Sequence, residues 1–141
     1  MPVTSPDDLK RIYADTKTIA VVGASSDEAK PAHTIPRYLQ SQGYRIVPVS
    51  PKGGECLGER VYPTLSDVDV PIDVVDVFRP SEEVPAIVRD AVAKGAKVLW
   101  MQSGIASEEG TQIAEAAGLE VVEDRCMGAT HRQLGLGPGP D

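Results

Sequence analysis

The sequence predicts an α/β fold: a doubly wound, mostly parallel five-stranded sheet with helices on both faces. Three observations carry this. Short apolar runs rich in Val and Ile alternate with stretches of helical periodicity, the pattern of successive βα units. Aromatics make up 4% of the chain, while Val, Ala, Gly and Pro are plentiful, a mix that suits β-branched strands covered by helices. Strand-like runs end in Gly, Ser or Pro, where a parallel sheet places its ligand-facing loops.

Ser5 opens the first element as a hydroxyl cap. Pro6 follows in the first turn, with Asp7 and Asp8 at the positive end of the helix dipole. Leu9, Ile12 and Tyr13 fall on one face of this helix. Thr18 to Val22 is the first strand and runs into Gly23-Ala24-Ser25-Ser26. A helix is expected over 33–42, with Ile35, Tyr38 and Leu39 on one face, Gly43 as terminator and Pro36 in or near the first turn. Tyr44 to Val49 is the second strand, with Pro48 near its end because a proline is awkward in a central strand. Residues 50–58, SPKGGECLG, are a loop, and Leu65 to Val68 allow one helical turn.

Ile72 to Phe78, IDVVDVF, is the third strand. Ser81 is expected to cap the next helix, with Glu82 and Glu83 after it, Val84, Ile87, Val88, Ala91 and Val92 inward, and Gly95 at its end. Lys97 to Met101 is the fourth strand. Ser107 caps another helix, with Ile113, Ala114 and Ala117 facing inward and Gly118 stopping it; Leu119 to Val122 is the fifth strand. One domain is expected over residues 1–134. Residues 135–141, GLGPGPD, are expected to form a flexible tail.

The net charge of −7 argues against nucleic acid, whose partners carry a basic face, and against a basic membrane-surface helix. No apolar run reaches membrane-spanning length. The first ten residues, MPVTSPDDLK, carry charge and no apolar stretch, so no signal peptide is expected. Cys56 and Cys126 have no motif spacing and there are two histidines, so no metal site is expected; reduced thiols in the cytoplasm are the default.

Four strand ends would converge on one edge of the sheet: Gly23-Ala24-Ser25-Ser26, Ser50-Pro51-Lys52-Gly53-Gly54, Arg79-Pro80-Ser81 and Gln102-Ser103-Gly104. A Rossmann dinucleotide turn wants G-x-G-x-x-G. Here Ser25 and Glu28 stand where two of the three glycines should be. An NAD site also wants an acid at the end of the second strand, and this chain has Ser50, Pro51 and Lys52. Lysine there attracts phosphate, which favours an adenosine bearing an extra phosphate. NADP and coenzyme A (CoA) both fit. Lys30 and Arg79 add cations for a polyphosphate. Each residue also has a plain structural reading. Lys52 and Lys30 are solvated surface charges, Arg79 pairs with Glu82 or Glu83, Ser81 and Ser107 are caps, and Gly53 and Gly54 serve the loop.

Joined in order, IAVVGAS (19–25), VSPKGGE (49–55), FRPSE (78–82), QSGI (102–105) and RCMG (125–128) resemble the stand-alone CoA-binding proteins. These are similar to the N-terminal CoA-binding domain of the succinyl-CoA synthetase α subunit. The likeness runs from Thr18 to Leu134. It implies a Rossmann-like domain in which Gly23, Ala24 and Ser25 contact phosphate and Lys52 meets the phosphoadenosine. Phe78, Arg79 and Pro80 would border the adenine or pyrophosphate, and Gln102, Ser103 and Gly104 the pantetheine arm. The chain departs from the synthetase in its fewer first-loop glycines and in Ser103, which replaces an acid. The synthetase's phosphohistidine domain is expected to be missing. The expected function is binding of CoA or acyl-CoA as a non-catalytic carrier, sensor or regulatory module. The alternatives are an NADP-dependent oxidoreductase and an adenine-nucleotide-binding regulatory subunit. Cys126 and His131 are close enough in sequence for a thiol–imidazole pair, but no third group orients them, so no catalytic residue is assigned. Cys126 could meet the CoA thiol, and His33 could touch a phosphate or cap a helix. Asp73 and Asp76 point to opposite sides of their strand and do not form an acid/base pair.

Overall fold

The computed structural model describes residues 1–139. Five strands form one sheet: β1 (Thr18–Val22), β2 (Arg45–Val49), β5 (Val74–Val77), β6 (Val98–Met101) and β7 (Glu120–Val122). Their order is β2-β1-β5-β6-β7 and every neighbouring pair is parallel. Counting only these five, the order is 2-1-3-4-5, one of the common doubly wound arrangements. Pro48 sits opposite Val21 on the outermost strand, the position where a missing donor is tolerated.

Side chains of each strand divide between two cores, as the two-residue period requires. Ala20, Val47, Val75, Leu99 and Val121 face α3 (Val84–Ala93) and α4 (Glu108–Ala116). Ile19, Val21, Ile46, Val74, Trp100 and Val122 face α1 (Pro6–Asp15), α2 (Pro31–Ser41) and α5 (Met127–Gln133). Helices therefore cover both faces. Trp100 is fully buried, and its indole N–H donates to Arg125 O at 2.7 Å, which satisfies the one polar atom such a ring carries.

Several local expectations are corrected. Helix α2 starts at Pro31, two residues early, so Pro36 lies in its interior rather than its first turn. The third strand spans Val74–Val77 only. Ser81 does not cap α3: it begins a 3-10 turn (Ser81–Glu83), and α3 starts at Val84 with Pro85 in its first turn. Ser81 Oγ instead accepts the Ala106 N–H. The Lys52 loop contains a small antiparallel ladder, β3 (Glu55–Cys56) with β4 (Glu59–Arg60). Helix α5 was not anticipated. Leu134 and Leu136 pack against the second core, and the Gly139 N–H donates to Gln42 O. The expected tail reaches Pro140 and Asp141, which lie outside the described residues. No helix among the described residues is long and apolar enough to cross a membrane.

Candidate functional site

Strand order reverses between β1 and β5, so the crevice for a ligand lies above their carboxyl ends. Gly23 ends β1 there with φ +92°. A Cβ on Gly23 would stand 2.6 Å from Phe78 O and 2.9 Å from Arg79 Cδ. Glycine is thus required first by the close approach of the β5 end.

The turn after Gly23 is tied down from within. Val49 O accepts the N–H groups of Gly23 (2.9 Å) and Ala24 (3.3 Å). Ser25 N–H donates to Ala32 O at 3.3 Å. That carbonyl is available because Pro36, four residues on in α2, has no N–H to offer it. His33, buried, bonds Ser25 O through Nδ1 at 2.8 Å. It therefore braces the turn rather than touching a phosphate or capping a helix. Three backbone donors credited to a ligand are consequently used inside the chain. The Ser26 N–H keeps no partner among the described residues, and the first turn of α2 offers the positive end of its dipole through Ala32.

Gly23, Ala24, Ser25, Ser26, Lys30, Ser50, Pro51, Lys52, Phe78 and Arg79 line one cleft of about 410 Å³. Asp27, Glu55 and Cys56 also line it; none was singled out from the sequence. The Cys56 thiol is pushed up by burial. Lys30 and Lys52 make no ion pair among the described residues, whereas Arg79 holds Glu83 through Nε (3.1 Å) and Nη2 (2.7 Å). A second hollow of about 400 Å³ opens on the other side of the Ser50–Lys52 loop, between Leu65 and Ile87.

Lys30 and Phe78 also line a neighbouring cleft of about 510 Å³, continued by Gln102, Ser103, Ile105 and Cys126. The Gln102 amide is turned inward. Its Nε2 donates to Asp76 Oδ1, and its Oε1 accepts the Met127 N–H at 3.4 Å. Asp76 is fully buried, and loss of water pushes its carboxyl up to about 7 against the opposing hydrogen bond from Gln102. Its Oδ2 has no partner among the described residues. A charged residue in the middle of the apolar run IDVVDVF was the available signal for this buried pair. Pro80 and Gly104 line neither of these two clefts. Gly104 N–H donates to Asp124 Oδ1, and Pro80 precedes the 3-10 turn.

Cys126 and His131 do not form a pair. Cys126 Sγ accepts the Ala129 N–H at 3.4 Å as the cap of α5. His131 is buried among Tyr13, Tyr38 and Tyr44, with Nδ1 bonded to Tyr38 Oη at 2.8 Å, and burial lowers its pKa.

The strand order and the cleft at its switch point define a doubly wound, parallel α/β domain. The "CoA binding domain" family model matches residues 17–132, and the chain belongs to that family. It is similar to YneT of Bacillus subtilis, 36% identical over 127 residues, covering 90% of this chain and 94% of that one. A Pyrococcus horikoshii protein of known structure is 37% identical, with a TM-score of 0.92 and 97% of both chains covered. The ADP-forming acetate–CoA ligase of Methanocaldococcus jannaschii is 27% identical over 128 residues, which cover 85% of this chain and 18% of the ligase.

Proposed function

We propose that this chain binds CoA or an acyl-CoA across the strand ends and acts as a carrier, sensor or regulatory module without chemistry of its own. One observation carries the reading. Two clefts, joined at Lys30 and Phe78, run from the Lys52 loop across the β1/β5 switch point to Cys126. One end holds three cations and several hydroxyls beside Asp27 and Glu55; the other is more apolar. CoA has the same polarity, with its 3′-phosphate and pyrophosphate at one end and its pantetheine arm at the other. The donor set fits: Lys52 would meet the phosphoadenosine, Lys30, Ser25, Ser26 and the α2 N-terminus the pyrophosphate, and Phe78, Ser103 and Ile105 the arm. Arg79 reaches a phosphate only by exchanging Glu83 for it. Gln102 supports the wall through Asp76 and Met127 rather than offering its amide to the ligand.

Membership of the CoA-binding family supports this reading over NADP or adenine nucleotides. Calorimetric titration with CoA, NADP, NAD and AMP tests it: heat with CoA and none with the others is expected, and a response to NADP but not to CoA would end the reading. Lys52→Ala should weaken CoA about tenfold, the size of one charge-assisted hydrogen bond, and dephospho-CoA much less. Equal losses for both would show that Lys52 does not read the 3′-phosphate.

A further inference from the structure

The path of clefts does not stop at Cys126. A third groove, about 510 Å³, runs between α2 and α5 and shares Ile35 and Cys126 with the cleft before it. Gly128 sets its floor. A Cβ there would lie 3.3 Å from Ile35 Cγ2 and 3.4 Å from Tyr38 Cδ2, so the two helices close on each other at this point. Two arginines line the groove, Arg37 and Arg132. The Arg132 guanidinium lies 4.0 Å over the Tyr38 ring, and the Tyr38 hydroxyl is fixed by His131. Neither arginine makes an ion pair among the described residues, and the groove has no Asp or Glu in its lining. In a chain of net charge −7, such a groove is a local reversal of sign. At 1.5 Å of rise per residue, Arg132 lies about 9 Å along α5 from Cys126.

We propose that this groove is an acyl subsite that favours acyl chains ending in a carboxylate. The inference rests on the CoA reading above. A thiol brought to Cys126 by that path would present its acyl group where the groove begins. A short methylene chain would run over Ile35 and Ala129, both part-buried, and its far carboxylate would meet Arg132 and Arg37. Arginine suits the task because its planar fork donates two parallel hydrogen bonds to a carboxylate, and the contact with the Tyr38 ring holds Arg132 in place. An uncharged acyl group of equal length would gain only the apolar contact.

The test compares three ligands by calorimetry in low salt: CoA, pentanoyl-CoA and glutaryl-CoA. The two acyl groups match in length and differ in the terminal carboxylate. Glutaryl-CoA should bind about tenfold more tightly than pentanoyl-CoA, a difference of about 1.4 kcal/mol. The Arg37→Gln/Arg132→Gln double variant should bring that ratio to about one, with the loss confined to the glutaryl ligand. Arg37→Gln alone, which leaves the Tyr38 stack intact, should lower it part of the way. The subsite is lost if the wild-type protein binds CoA but does not prefer glutaryl-CoA. It is equally lost if the double variant, melting cooperatively, keeps the preference. If none of the three ligands binds the folded wild-type protein, the CoA reading falls and takes the subsite with it.

Discussion

Replacing Gly23 by alanine puts one methyl group where the chain has no room for it. Two costs add. The first is conformational: φ at Gly23 is +92°, and holding a residue with a side chain there costs on the order of 1–3 kcal/mol. The second is steric. The new Cβ would sit 2.6 Å from Phe78 O and 2.9 Å from Arg79 Cδ. Arg79 Cδ belongs to a flexible side chain and can move aside. Phe78 O belongs to the backbone at the end of β5 and moves only if the β1/β5 crevice opens. Overpacking of this kind costs about 1–3 kcal/mol, which brings the total to about 2–6 kcal/mol. For a chain of this size each kcal/mol lowers Tm by about 3–5 °C, so Gly23→Ala should melt at least about 6 °C below wild type by circular dichroism. Gly54→Ala is the control. Its φ is +85° but nothing lies within 4 Å of an added Cβ, so it incurs the conformational cost alone and should lose less. Equal losses in the two variants would show that contact with Phe78 does not fix the glycine. No loss in Gly23→Ala would refute the close approach itself.

Two further outcomes follow from other parts of the fold. Asp76 holds its proton to about pH 7 when folded, against an ordinary value of 3.8. Between these values the folded state binds the extra proton, so this group's contribution to stability falls as pH rises through 7. Asp76→Asn should therefore flatten the pH dependence of Tm between about pH 4 and 7 and melt higher than wild type at pH 8; an unchanged slope would count against a buried neutral carboxyl. Ser107 accepts the Gly110 N–H at 3.0 Å as the cap of α4, so Ser107→Ala should cost about 1 kcal/mol in urea unfolding, and a loss below a few tenths would contradict the cap.

The fold was legible because each strand is a short, mostly apolar run and each long helix carries a face of period 3.6. Where that signal thinned, the sequence reading failed for identifiable reasons. Helix α5 is seven residues with a glycine second and no apolar period of its own. It is set by tertiary contacts: the Tyr13 hydroxyl donates to Met127 O, and Gln102 accepts the Met127 N–H. Neither can be seen locally. At α3 the signal was present and misweighed. Ser81 followed by two acids resembles a cap, but Pro85 marks the true first turn, since proline is tolerated there for want of a donor to satisfy.

The site was legible to a different depth. Parallel topology brings the strand ends together, so ten of the residues that line the first cleft could be named without knowing any contact. What the sequence could not show is which of their polar groups remain free once the chain has satisfied itself. The turn after Gly23 spends its first three N–H groups on Val49 and Ala32, and the bond to Ala32 is a consequence of Pro36 that only the helix start at Pro31 reveals. The three cations divide likewise. Arg79 is held by Glu83 in a half-exposed pair, and such surface pairs contribute about 0–1 kcal/mol. A phosphate can displace Glu83 at small cost, but it gains less from Arg79 than from an unpaired cation. Among the described residues Lys30 and Lys52 carry no such partner, and Lys52 stands on the loop between two hollows. On the CoA reading proposed above, recognition of a phosphorylated adenosine would fall to Lys52 before Arg79, an order the residue types alone would reverse, because arginine is the stronger phosphate ligand when both are free.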